Sequence, residues 1–183
     1  MLKILLIVGL ILLVVIIGLL VVVSRKPDTI HYERSRVMKA PPAVIHTFLE
    51  NFHNWGQWSP WEKIDPAMKR TYEGSESGVG AMYSWSGDKN IGSGKMTILE
   101  NKPGELIVIK LEFFTPMAAT NEARFVLIPA EGGTRVTWIM DGPNAFMGKV
   151  MSVFMDFETM IGSAFEQGLA DLDNVSQTKA AAK

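Results

Sequence analysis

Ile107-Val108-Ile109-Lys110-Leu111-Glu112-Phe113 is the stretch on which the fold turns. In an extended chain Ile107, Ile109, Leu111 and Phe113 fall on one side, with Lys110 and Glu112 opposite. A strand with one apolar and one charged face belongs to an antiparallel sheet wetted on one side. The pattern recurs in both directions. Downstream, Ala123, Phe125 and Leu127 oppose Glu122 and Arg124, and Val136, Trp138 and Met140 oppose Arg135 and Thr137. Upstream, Tyr83 pairs in parity with Trp85, and Met96 with Ile98. Turn signals at Gly74-Ser75, Gly87-Asp88, Pro103-Gly104 and Gly132-Gly133 divide the run into about five strands.

An apolar sheet face must be covered. The sizeable candidate is the stretch from about residue 146 to 172, read as one long helix. Val150, Phe154, Phe157, Ile161, Ala164 and Phe165 form its apolar stripe, and Lys149, Ser152, Asp156, Thr159, Ser163 and Gln167 its polar side. Before the strands, residues 30–39 alternate loosely and suit a first strand. Pro41-Pro42 then stops that strand and starts a short helix carrying Val44, Ile45, Phe48, Leu49 and Phe52. Trp55, Trp58 and Trp61 follow in a second short helix or turn. The expected fold class is α+β, a curved antiparallel sheet wrapped around a long C-terminal helix. The domain is expected over residues 29–175, and residues 176–183, small and polar, as a disordered tail.

The other end of the chain is of different character. Residues 4–23 are apolar without a break save Gly9 and Gly18. As a helix that run spans roughly 30 Å, the thickness of a bilayer's hydrocarbon core. A cleaved signal peptide has a core of roughly 7–15 residues and a small-x-small cleavage site; Val22-Val23-Ser24-Arg25-Lys26 offers none. Residues 1–26 therefore read as one transmembrane anchor of a single-pass membrane protein. Arg25, Lys26, Arg34, Arg36 and Lys39 follow the span and Lys3 precedes it, which favours a cytoplasmic domain. The very short N-terminal tail argues for the opposite side.

Hydrophobic residues make up 48% of the 183, the excess lying in the anchor. The chain has no cysteine, which excludes disulfides, thiolate metal sites and a cysteine nucleophile. Between Asp28 and Asp173 stand 13 Lys/Arg against 19 Asp/Glu, a net charge of −6. An acidic domain lacks the basic face that nucleic acid requires. His31, His46 and His53 form no His-x-x-x-His pair, so no metal site and no cofactor are expected, and the histidines read as solvated or capping residues. Gly92-Ser93-Gly94-Lys95 fails as a phosphate loop, because the position five before Gly94 is Lys89 and the segment runs into a strand.

The order of elements, together with Phe48-Leu49-Glu50-Asn51-Phe52-His53-Asn54-Trp55-Gly56-Gln57-Trp58-Ser59-Pro60-Trp61, resembles the START/Bet v 1-like (SRPBCC) superfamily. Gly78-Val79-Gly80-Ala81-Met82-Tyr83-Ser84-Trp85 and Gly133-Thr134-Arg135-Val136-Thr137-Trp138 support the likeness. More narrowly the chain looks like the bacterial polyketide cyclase/dehydrase type, and the resemblance covers roughly residues 29–175. The resemblance implies a helix-grip fold with a cavity between sheet and final helix, holding a lipid, sterol, quinone or polyketide-like molecule. The anchor is not a general feature of that superfamily.

Candidate lining residues are Trp58 and Trp61 from the turn, and Tyr83, Trp85, Met96, Ile109, Leu111, Phe113, Phe125 and Trp138 from the strands. Met151, Phe154 and Met155 join them from the final helix. The tryptophans equally serve as staples between the short helices and the sheet. Met147, Met151 and Met155 recur at i, i+4, i+8, which suits core filling or a pocket of variable contents. The expected function is a membrane-anchored binding protein for an apolar small molecule. An enzyme of cyclase or dehydrase type is the alternative, with Tyr83 and Glu158 as its candidate proton-transfer groups. A protein-partner or chaperone-cofactor module is the third reading.

Overall fold

The computed structural model describes residues 1–181. An apolar helix, α1 (Leu2–Ser24), is followed by β1 (Thr29–Met38), α2 (Pro42–Leu49) and two 3₁₀ turns (Phe52–Gln57 and Pro60–Lys63). The strands β2 (Lys69–Gly74), β3 (Ala81–Ser86), β4 (Ser93–Lys102), β5 (Leu106–Thr115), β6 (Ala119–Ala130) and β7 (Gly133–Pro143) come next. Two helices close the chain, α3 (Phe146–Phe154) and α4 (Phe157–Ala181).

All seven strands form one antiparallel sheet in the order β1-β7-β6-β5-β4-β3-β2. The first strand thus returns beside the last, and the chain leaves α1 directly into a sheet edge. The register places Phe125 between Ile107 and Trp138, and Ala123 between Ile109 and Met140. The inner parities are those the alternation predicts. This is the helix-grip α+β fold.

Three differences from the sequence reading have physical causes. β2 adds a strand, because Lys69–Gly74 is exposed on nearly every position and carries no alternation to read. The expected single helix from 146 to 172 is two. Met155 is extended, at φ −125° and ψ 133°, and Asp156 accepts bonds from the Thr159 backbone N–H (3.1 Å) and hydroxyl (2.6 Å). An aspartate three residues before a threonine is an N-cap, and it restarts the helix. The expected tail from residue 176 is instead helical to Ala181; residues 182–183 lie outside the described residues. Ser176 is buried, and Lys179 reaches the Thr47 hydroxyl (3.0 Å) and covers the Phe48 ring, so the last turns of α4 are held against α2.

α4 is latched to the edge strand by charge. Arg34 on β1 pairs with Glu158 (3.0 Å) and Glu166 (2.8 Å), and Arg36 with Asp173 (3.1 Å). Beneath lies an aromatic core. Trp138 stacks on Phe165 with centroids 4.2 Å apart and planes within 3°. Trp58 meets Phe125 edge to face, and Trp61 meets Trp138 likewise. The Trp55 indole donates to the Leu49 carbonyl and that of Trp58 to the Phe48 carbonyl, which ties the turns to α2.

Candidate ligand groove

The thirteen residues expected to line a pocket separate into three groups. Trp58, Ile109 and Phe125 are fully buried, and Tyr83 and Trp138 nearly so; they fill the centre of the sheet–helix interior with one another's side chains. Trp85, Met96, Leu111 and Phe113 form a shelf on β3–β5, with Leu111 and Phe113 half-buried and Trp61 half-buried near Phe165. Trp85 lies flat across β4 because position 94 is glycine: a Cβ there would stand 2.4 Å from its ring. Gly94 thus has a packing role within the strand. The third group, Met151, Phe154 and Met155, stands outside this interior. Met151 is half-buried, while Phe154 is 75% and Met155 43% exposed.

A groove of about 560 Å³ lies where the α3–α4 junction approaches the first residues of β1. Its apolar wall is Ile30, Tyr32, Val153, Phe154, Met155 and Phe157. Lys26, Thr29, His31, Asn144, Ser152, Asp156 and Glu158 form its polar side. The even-numbered residues of β1 face α4, since Arg34 and Arg36 reach it, so Ile30 and Tyr32 carry the groove to the end of the sheet–helix interior. Burial first, and the Glu158 carboxylate second, raise the Tyr32 phenol above its ordinary value, so it remains a proton donor at neutral pH. Ile30 and Tyr32 carried no functional signal beyond a loose alternation in residues 30–39, and Val153 carried none.

The inner row of β6 holds a polar group out of keeping with its neighbours, bordering a second groove. Asn121 precedes Ala123, Phe125 and Leu127 on the inner parity of β6 and is buried. Its amide nitrogen has only the Met140 sulfur, at 3.8 Å, and its side-chain oxygen has no partner among the described residues.

The candidate proton-transfer groups are both engaged. Tyr83 donates to Glu62 Oε1 at 2.5 Å, and Arg70 Nε donates to the other carboxylate oxygen at 2.7 Å. Burial first, then the bond to Glu62, pushes the Tyr83 phenol far above its ordinary value. Sequence reasoning missed Glu62 and Arg70, which lie 21 and 13 residues away from Tyr83 along the chain. Glu158 is exposed and paired with Arg34. His46, expected to be solvated or capping, is corrected to a core residue: it is buried, with Nε2 2.6 Å from Asn101 Oδ1, because α2 lies on β4 there. His53 is exposed and stacks on Tyr72.

A second groove of about 650 Å³ lies on the outer face of the sheet. Its floor is the cross-strand row Lys110, Glu122, Asp141 and His31. His31 Nδ1 lies 2.6 Å from Asp141, which also takes Arg124. Charges of both signs lie along the row, so it offers no single-sign site.

Residues 29–177 match the sequence family described as polyketide cyclase / dehydrase and lipid transport. No curated protein matches the chain. Among solved structures the chain is similar to protein CV1439 from Chromobacterium violaceum at 17% identity and a TM-score of 0.57, over 82% of this chain and 98% of that one. It is similar to the Aha1 dimer protein from Colwellia psychrerythraea at 16% identity and a TM-score of 0.56, over 79% and 94%. The di-domain ARO/CYC StfQ of the steffimycin biosynthetic pathway matches at 9% identity and a TM-score of 0.60, over 84% of this chain and 52% of that one. At these identities the structures establish the shared fold.

Proposed function

The chain belongs to the polyketide cyclase / dehydrase and lipid transport family, and from that premise we propose that it is a membrane-anchored protein that binds an apolar small molecule. The observation that carries the reading is the groove beside the α3–α4 junction. At about 560 Å³ it falls within the range of small-molecule sites, and it sets an apolar side of Ile30, Tyr32, Val153, Phe154, Met155 and Phe157 against a polar side of about equal extent. The central interior is closed by its own aromatic rings, so the guest belongs at the β1 end and not under the middle of α4. A lipid, quinone or polyketide-like molecule fits these walls.

α1 supplies the reason for a membrane location. It is long and apolar enough to cross a bilayer, and nearly all of it is uncovered by the rest of the chain. A protein whose guest partitions into lipid gains from standing where the guest is concentrated. Arg25 and Lys26, directly after the helix, favour a domain on the cytoplasmic side.

The cyclase or dehydrase alternative would need Tyr83 or Glu158 free to move a proton, and each is held by a partner. Solvent extraction of the full chain purified in mild detergent, followed by mass spectrometry, tests the binding reading. A stoichiometric apolar guest is expected, reduced several-fold in Phe157→Asp, which puts a carboxylate in the apolar wall. Wild-type protein that carries no guest, and takes up none from added fatty acid or quinone, would refute it.

A further inference from the structure

α3 turns the wrong way for a helix of a water-soluble surface. At 3.6 residues per turn Phe146, Met147, Val150, Met151, Val153 and Phe154 share one continuous arc, and Gly148, Lys149 and Ser152 occupy the other. The polar arc is the one committed to the protein. Lys149 pairs with Asp28, Ser152 gives its carbonyl to Lys26 Nζ at 3.4 Å, and just before the helix Asn144 bonds the Pro27 and Asp28 carbonyls. The apolar arc faces outward at Phe146 and Phe154, 59% and 75% exposed, and at Met147 and Val153, while Val150 and Met151 are half-buried.

The place of this helix matters as much as its polarity. α1 packs against α3, and Val23, at the end of α1, is buried while the rest of α1 is not. Only residues 25–28 join α1 to β1, so the start of β1 lies within roughly 18 Å of the end of α1. An outward apolar helix at the exit of an apolar spanning helix, with Arg25 and Lys26 alongside, has the charge and shape of an interfacial helix.

We propose that α3 lies in the surface of the bilayer that α1 crosses, its Phe146–Phe154 arc among the acyl chains. This rests on the reading of α1 as a membrane anchor. Because Val153, Phe154 and Met155 also wall the groove, docking brings its mouth to the lipid, and an apolar guest passes between bilayer and groove without crossing water.

The chain has no cysteine, so single-cysteine variants carry one label each. Full-length Phe154→Cys, Met147→Cys, Glu131→Cys and Ile11→Cys, labelled with an environment-sensitive fluorophore, are placed one chain per phosphatidylcholine/phosphatidylglycerol nanodisc. Glu131 sits beyond the distal end of β1, about 30 Å from Thr29 along the strand, and serves as the aqueous control. Labels at 154 and 147 should be quenched by a shallow spin-labelled lipid and shielded from iodide, at a depth of roughly 5–10 Å. The label at 131 should behave oppositely. If the label at 154 behaves like that at 131 while the label at 11 is quenched by lipid, the anchor stands and the docking is refuted. Shielding from iodide without lipid quenching means α3 is covered by protein and also refutes it. If the label at 11 is itself accessible to iodide, the anchor reading fails and the docking with it.

Discussion

Tyr83 carries a hydroxyl into a nearly dry site, and the cost is met by giving it one strong acceptor. Glu62 accepts from Tyr83 and from Arg70 at once, so the carboxylate's two oxygens are both occupied. Tyr83→Phe removes the hydroxyl and leaves one oxygen of that carboxylate short of a donor. The expected loss is about 1–3 kcal/mol of unfolding free energy by denaturant titration, with guest content unchanged. A large fall in guest content at unchanged stability would instead return Tyr83 to the binding site. At the other surface, the hydrogen bond to Asp141 foremost raises the His31 pKa above its ordinary value. A raised folded-state pKa gives stability that is complete below the unfolded value and lost as pH rises through the folded one. His31 should therefore titrate above free histidine by NMR, and Asp141→Asn should bring it down. None of these pairings was legible in the sequence, since spacing along the chain does not report which side chains a sheet register brings together. What was legible was parity: the inner set Ile107, Ile109, Phe125 and Trp138 followed from alternation alone.

Among the elements, α4 is positioned by what it lacks. A Cβ on Gly168 would meet the Trp138 ring at 2.9 Å and Pro60 at 3.0 Å, both rigid groups, so the helix approaches the sheet there through a glycine. Alanine favours a helix over glycine by about 1 kcal/mol, but overpacking a filled core costs about 1–3 kcal/mol. Gly168→Ala should thus lower the melting temperature, whereas Gly56→Ala, with open space around it, should change it little. The start of α4 depends on Asp156, whose pKa is held below the ordinary carboxylate value by its bonds to Thr159. A depressed folded-state pKa gives stability present above the unfolded value and lost as pH falls through the folded one. The protection factor of the Thr159 amide, exchange rate corrected for the intrinsic pH dependence, should fall on acidification below about 3.8, and Asp156→Ala should lose that protection already at neutral pH. The break before this helix escaped the sequence reading because the apolar stripe continues across it: Phe154 and Phe157 keep helical spacing on either side of the cap.

At the level of the whole molecule, the sheet and the covering helix were readable from periodicity, and the family match over residues 29–177 agrees with both; the helix α1 was readable from an unbroken apolar run. The position of the concavity was not. Alternation tells which side chains turn inward but not whether they meet, and Trp58, Phe125, Trp138 and Phe165 do meet. The open space is displaced to the edge strand, beside the exit of α1, where the α3–α4 break leaves room. The fold, the groove and the apolar helix α1 therefore converge on one end of the domain. Photo-crosslinking tests that convergence most directly: the full chain in nanodiscs is irradiated with a diazirine-bearing fatty acid, and the modified peptides are mapped. Binding in the groove predicts adducts at residues 30–32 and 153–157, competed by unlabelled fatty acid. Adducts confined to α1, or distributed without competition, would contradict it.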